Sequence, residues 1–126
     1  MESRDSTSPG QVIPLTFSRL NEGDFHARLA ATAGIAVVVF SAPACGACRV
    51  WKKLLSQALS GMANALYEVD VSEATGVARY FGIFHLPTLY LYRDGQFHAE
   101  LQCEARPEAI RRAVQQALVA PAQDEP

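Results

Sequence analysis

The chain has no excess of basic residues. Its 11 Lys and Arg stand against 13 Asp and Glu, for a formal net charge of −2, and its pI is near 5.9. Such a surface has no electrostatic footprint for phosphate backbones, so nucleic-acid binding lacks compositional support, and an anionic membrane surface is disfavoured for the same reason. Long hydrophobic runs are also missing. The longest strongly apolar stretch, Ile35 to Phe40, is far short of the roughly 20 residues that span a bilayer. Cysteine is scarce as well: there are 3, an odd number that argues against the fully paired framework of a small secreted scaffold. The opening residues Met1 to Gly10 carry acids and no apolar run, which does not read as a secretory signal. The expected setting is cytoplasmic, with no nucleic-acid and no membrane partner.

What is present suits a folded protein. An apolar fraction of 49% and a charged fraction of 19% over 126 residues fit one domain with one core. Residues 1–11 are polar and read as a flexible lead-in, 12–119 as the domain, and 120–126 as a tail, frayed from Pro121 to Pro126. Val12 to Phe17 is a short β-branched run whose Pro14 lacks a donor N–H, which suits an edge strand. Phe25, Leu29 and Ala30 follow at helical spacing, and Gly34 stops them. Ile35 to Phe40 is continuously apolar without alternation, as expected of a central strand covered by helices on both faces.

Beyond it, Val50, Trp51, Leu54, Leu55 and Ala58 form one apolar helical face, with Arg49, Lys52 and Lys53 set mainly off it. Leu66 to Val71 is a further strand. Ser72 is placed to cap a short helix that runs through Phe81 and ends at Gly82. Thr88 to Tyr92 and Gln96 to Leu101, joined through Arg93, Asp94 and Gly95, read as a hairpin. Pro107 opens a last helix whose Ile110, Ala113, Val114, Ala117 and Leu118 make its buried stripe. Alternating strands and helices closed by a hairpin and a helix predict an α/β layer fold with a mixed sheet.

Cys45 and Cys48 fall where the buried strand gives way to a helix. A Cys-x-x-Cys pair on its own serves zinc ribbons, redox proteins and plain packing alike. At a helix N-terminus, unpaired N–H groups and the positive end of the dipole favour a thiolate, which makes Cys45 the candidate nucleophile. Cys48, one turn further in, is the candidate resolving thiol. Gly46 and Ala47 between them are small enough to let the sulfurs meet, and Arg49 next to the pair is a candidate for stabilising the anion.

Through Ala42-Pro43-Ala44-Cys45-Gly46-Ala47-Cys48, Val69-Asp70-Val71, Phe81-Gly82-Ile83, His85-Leu86-Pro87-Thr88 and Arg93-Asp94-Gly95, the chain resembles the thioredoxin family over roughly Val12 to Val119. The resemblance implies a three-layer α/β/α sandwich with a central mixed β-sheet. It also implies dithiol–disulfide exchange with protein disulfides, a thioredoxin-reductase-like or other dithiol electron donor, no organic cofactor or metal, and a monomer. It further implies a cis Leu86–Pro87 bond facing the disulfide, with Gly46, Ala47, Leu86 and Pro87 shaping the substrate groove.

The departures from the family are as informative. Ala44 and Ala47 stand where an aromatic and a proline are usual, and Lys53 stands near the usual kink-forming proline, predicting a straighter helix. The family's buried acid falls at Val39 and its lysine companion at Leu66, which deprives Cys48 of a base. On this reading an acid at Val39 would speed disulfide reduction roughly tenfold at most while costing about 1–3 kcal/mol of stability.

Blander readings stand beside these. The cysteines also fit two buried packing residues or half of a zinc site, and the whole chain fits a weakly active binding module or holdase on the same fold. Cys103 reads as a packing cysteine, with a regulatory thiol as the alternative. His85 is either a solvated loop residue or a rim group that tunes the thiolate. Trp51 reads as core before substrate platform, Asp70 as a turn or capping acid without catalytic role, and Arg111 and Arg112 as a solvated helix face.

Overall fold

The computed structural model describes residues 15–126. Along them run β1 (Phe17–Arg19), α1 (Phe25–Ala30), β2 (Ile35–Ser41), α2 (Gly46–Ala58), β3 (Ala65–Asp70), α3 (Thr75–Phe81), β4 (Thr88–Arg93), β5 (Gln96–Glu100) and α4 (Pro107–Val119). The sheet order is β1-β3-β2-β4-β5. β1 and β2 each pair with β3 in parallel, while β4 runs antiparallel to both β2 and β5.

The apolar run Ile35 to Phe40 becomes the middle strand, and its lack of alternation follows from burial on both faces. Val37 and Val39 point into one cluster with Leu55, Leu59, Leu66, Leu89, Ile110 and Val114, between the sheet and the α2/α4 layer. Val38 and Phe40 point into the other with Phe25, Leu29, Val69, Val77, Phe81 and Tyr90, under α1 and α3. The three-layer mixed α/β arrangement is the one expected. Each large side chain so buried contributes about 1.5–3 kcal/mol.

The turn chemistry carries through. Asp94 and Gly95 both have positive φ, 51° and 82°, the backbone of the tight hairpin turns whose twist matches the flanking strands. Gly82 ends α3 in the left-handed region at φ 66°, and Pro107 occupies the first turn of α4.

Four local expectations are corrected. The first strand is Phe17–Arg19, and Leu15 and Thr16, expected within it, precede it outside the strand. Val12 to Pro14, like the 1–11 lead-in, lie outside the described residues. Ser72 does not cap α3, because its backbone N–H and hydroxyl both donate to Asp70 Oδ1, at 2.9 and 2.6 Å. The first N–H groups of that helix are met instead by Glu22, whose Oε1 accepts from Gly76 N and Val77 N. Val50, placed on the apolar face of α2 by its spacing, is 55% exposed.

The segment after α4 is not frayed: Gln123 N donates to His98 O at 2.7 Å, Glu100 N to Gln123 Oε1 at 3.1 Å, and Tyr80 Oη to Glu125 Oε1 at 3.2 Å. It lies along the open side of β5, whose outward N–H and C=O groups pair with no sixth strand among the described residues. Among the described residues no helix is long and apolar enough to cross a membrane.

Candidate active site

β2 ends at Ser41, and four residues later the chain enters α2. Cys45 is the N-cap of that helix, in extended conformation, and the Cys48 N–H donates to its Sγ at 3.1 Å. A capping position is where the donors of the first turn are unpaired, so a sulfur there sits in the positive field of the helix end. The first turn of α2 contains no acidic residue to oppose that field. Cys45 and Cys48 are joined in a disulfide with Cα atoms 5.3 Å apart. The two sulfurs differ in environment: Cys45 is half-buried, whereas Cys48 is 1% exposed.

Gly46 and Ala47 are both exposed on the first turn. α2 is continuous to Ala58, with Lys53 in its middle where a proline would break the hydrogen-bond ladder. The Leu86–Pro87 peptide is cis and lies in the loop before β4. Pro87 borders a cavity of about 200 Å³ with Trp51, His85 and Cys103. Trp51 packs on the α2/α4 cluster, as its core reading expects, and also lines this cavity. His85 is exposed, with Nδ1 3.3 Å from Thr88 Oγ1, and is not among the residues around the sulfurs. Cys103 is half-buried and packs on the same cluster. Burial, and secondarily the charge of Glu104, push its thiol pKa up.

A second cavity, of about 340 Å³, opens beside the sulfurs. Cys45, Cys48 and Arg49 line it together with Ser41, Lys52, Glu68 and Asp70, and with Arg19 and Glu73 at its edge. Arg49 is exposed there, its Nη1 reaching Pro43 O at 3.4 Å. Val39 and Leu66, where the family's acid and lysine would stand, are fully buried and apolar.

Charge appears one step away. Glu68, the register partner of Val39 on β3, accepts from Lys52 Nζ at 2.7 Å and from the Ser41 hydroxyl at 2.8 Å through the same oxygen, Oε2. Burial pushes the Glu68 carboxyl up, but the Lys52 and Ser41 hydrogen bonds and the charges of Lys52 and Arg19 outweigh it, and the net direction is down.

Sequence reasoning missed this cluster. Lys52 looked like a residue off the apolar face, yet its side chain is only 27% exposed and its Nζ reaches Glu68 Oε2. An acid at Glu68, inside a strand flanked by apolar residues, was the available signal.

The thioredoxin family model matches residues 16–116. The chain belongs to the thioredoxin family. This thioredoxin-family chain is 22% identical over 120 residues to chloroplastic thioredoxin M4 of Arabidopsis thaliana, covering 94% of its own length and 60% of the relative's. It is 33% identical over 78 residues to thioredoxin of Gallus gallus, covering 60% of itself and 74% of that protein.

Among solved structures it superposes on a chain from work on thiol resolution in yeast mitochondrial 1-Cys peroxiredoxin via the glutathione/thioredoxin systems. The TM-score is 0.66 at 22% identity, over 80% of this chain and 95% of that one. Zinc-bound human ERp44 gives 0.67 at 20% identity, over 80% of this chain and 31% of that one. At such identities the structural likeness carries the fold. Family membership and the Cys45–Cys48 pair support thiol–disulfide oxidoreductase chemistry in general terms. Among the described residues no group of three or more His, Cys, Asp or Glu side chains is arranged to hold a metal ion.

Proposed function

We propose that the chain exchanges its Cys45/Cys48 dithiol with disulfides of protein substrates, with Cys45 as nucleophile and Cys48 as resolving thiol. The observation that carries this reading is the asymmetry of the pair: Cys45 caps α2 and is half-buried, whereas Cys48 lies inside the first turn at 1% exposure. An outside thiol or disulfide reaches the first sulfur and not the second. Attack by the Cys45 thiolate on a substrate disulfide gives a mixed disulfide and frees one substrate thiol. Cys48 then attacks Cys45 Sγ, closing the protein disulfide and freeing the second.

The surroundings suit a polypeptide substrate. Leu86 and Pro87 are half-buried residues of the loop before β4, and Phe84 in the same loop is 90% exposed. An aromatic ring so exposed to water offers an apolar contact for a polypeptide substrate. A dithiol donor, protein or small, would restore the reduced form, and a cytoplasmic setting suits that direction.

The test is reduction of a protein disulfide in the presence of dithiothreitol by the parent chain, together with trapping by Cys48→Ser. Turnover by the parent and a mixed disulfide through Cys45 in the variant are expected. No acceleration over dithiothreitol alone, with Cys48→Ser and Cys45→Ser capturing nothing, would leave the binding-module reading in its place.

A further inference from the structure

Cys48 poses a chemical problem that the proposed exchange must solve. Its thiol has to lose a proton before it can attack, and at 1% exposure it is screened from bulk hydroxide while burial disfavours its thiolate. Val39, where the family's acid would stand, is apolar and offers no acceptor. The cavity of about 340 Å³ that Cys48 helps to line is polar and large enough for several waters, each occupying about 30 Å³.

Three carboxylates border that cavity, and their bonding separates them. Asp70 Oδ1 is occupied by the Ser72 N–H and hydroxyl, and its Oδ2 faces Arg19 at 3.8 Å. Glu73 stands in solvent at 67% side-chain exposure. Glu68 is 14% exposed, and both of its short hydrogen bonds fall on Oε2. Among the described residues its Oε1 meets only Arg19 Nη2, at 3.8 Å, too long for a hydrogen bond.

We propose that Glu68 is the proton acceptor for Cys48, working through water in this cavity, with Lys52 and Ser41 as the residues that position it. The proposal rests on the resolving role given to Cys48 above. In the step, the Cys48 S–H proton passes by way of water to Glu68 Oε1 as the Cys48 sulfur attacks Cys45 Sγ. The Cys45–Cys48 bond forms, the bond from Cys45 to the substrate sulfur breaks, and the substrate leaves as a thiolate. Glu68 then returns the proton, through the same water, to the departing thiolate or to solvent. Two electrons leave the protein dithiol and enter the substrate disulfide. Lys52 and Ser41 keep the carboxyl ionised despite its burial, so it is ready to accept at neutral pH. The charged groups facing Glu68 are Arg19 from β1, Lys52 from α2 and Asp70 from its own strand, with Arg49 and Glu73 on the same cavity. None of these carboxylates has an ordinary value in the range of the test.

The test needs no protein substrate. The reduced full chain, with Cys103→Ser to silence the third thiol, is mixed with an aromatic disulfide whose released thiolate is coloured. The first phase of release reports attack by Cys45, and the second reports resolution by Cys48. In Glu68→Gln the second phase is expected to slow about tenfold near pH 6.5 and to approach the parent as pH rises, with the first phase unchanged. Glu68→Asp should recover part of the loss. In a Cys45→Ser, Cys103→Ser background, the thiolate absorbance of Cys48 should titrate at lower pH once Glu68 is Gln, because a nearby negative charge is gone. Slower resolution from a more acidic thiol is a combination that loosened packing does not produce.

A second phase equal to the parent's at every pH overturns the proposal. So does a deficit that is independent of pH and shared by Glu68→Asp, or an unmoved Cys48 titration. If the exchange with protein substrates fails instead, the parent shows both phases and no protein disulfide reduction, which is a different result.

Discussion

Val39 and Glu68 are register partners across the parallel β2–β3 pair, yet one is fully buried among leucines while the other borders the polar cavity beside Cys48. A step of one strand, at the same register, therefore separates a position that rejects charge from one that receives it. Glu68 has Lys52 and Ser41 within hydrogen-bond distance; the neighbours of Val39 are Leu55, Leu59, Leu66 and Leu89.

With Glu68 as the acceptor for Cys48, the sequence-based expectation that an acid at Val39 speeds reduction is reversed: such an acid should destabilise without accelerating. Val39→Asp would bury a carboxyl with no donor beside an existing carboxylate, at a cost of about 3 kcal/mol. Its pKa in the fold would be raised, so the penalty grows as pH climbs above the ordinary aspartate range and shrinks at acid pH. Val39→Asn should show the loss without that pH dependence. Urea unfolding at several pH values checks it, and faster disulfide reduction by Val39→Asp would contradict the role given to Glu68.

Alkylation of the reduced chain should proceed in a fixed order. Cys45 combines partial exposure with the helix N-terminus and should react first. Cys103 is half-buried with its pKa pushed up by burial and Glu104, and Cys48 is enclosed. Mass spectrometry of peptides after short exposure to an alkylating agent gives the order, and equal labelling of all three thiols would remove Cys45 as the favoured nucleophile.

Stability should fall at acid pH, and in a defined window. Glu68 and Asp70 are both held below their ordinary values of 4.5 and 3.8. For Asp70 the Ser72 hydroxyl is the largest cause; burial opposes it, and the Ser72 N–H and the Arg19 charge add to it. A depressed carboxylate pKa contributes stability above the unfolded value, and that contribution is lost as pH falls through the folded one. The urea midpoint should hold from neutrality to about pH 5 and decline below it. Glu68→Gln should flatten the upper part of that decline, and a variant with the parent's full slope would show that this carboxylate is not linked to folding.

Two glycines with similar backbone angles should tolerate alanine differently. At Gly95, φ is +82° and an added Cβ would lie 2.6 Å from the Ala30 carbonyl oxygen, whereas at Gly61, φ is +84° and the space is open. Gly61→Ala bears the left-handed strain alone, about 1 kcal/mol, while Gly95→Ala adds a backbone clash and should lose about 2–3 kcal/mol. Thermal unfolding of the pair decides this: equal losses would mean that the α1 end yields to the hairpin at no cost.

Much of the fold was written into the chain. The apolar run Ile35 to Phe40 announced a strand buried on both faces, Asp94 and Gly95 announced a tight hairpin, and Pro107 announced a helix start. In each case the governing physics is local: side-chain burial along one element, or the backbone angles one residue can adopt. The cysteine pair at the start of α2 was legible for the same reason, since a cap is a property of a few consecutive residues. Other features were decided elsewhere. Ser72 had the composition of a cap but was taken by Asp70, and Glu22, 54 residues from Gly76, met the helix instead.

The cluster of Ser41, Lys52 and Glu68 is the clearest case of that second kind. Its members lie 27 and 16 residues apart, and no periodicity within β2, α2 or β3 relates them. Sequence alone determined that two cysteines would stand at a strand-to-helix junction, because helix capping and strand burial act within a few residues. Only the tertiary structure decided which charged groups stand around them, because that depends on the register of β3 against β2 and on the face of α2 laid across the sheet, and both are fixed by how the two apolar clusters pack.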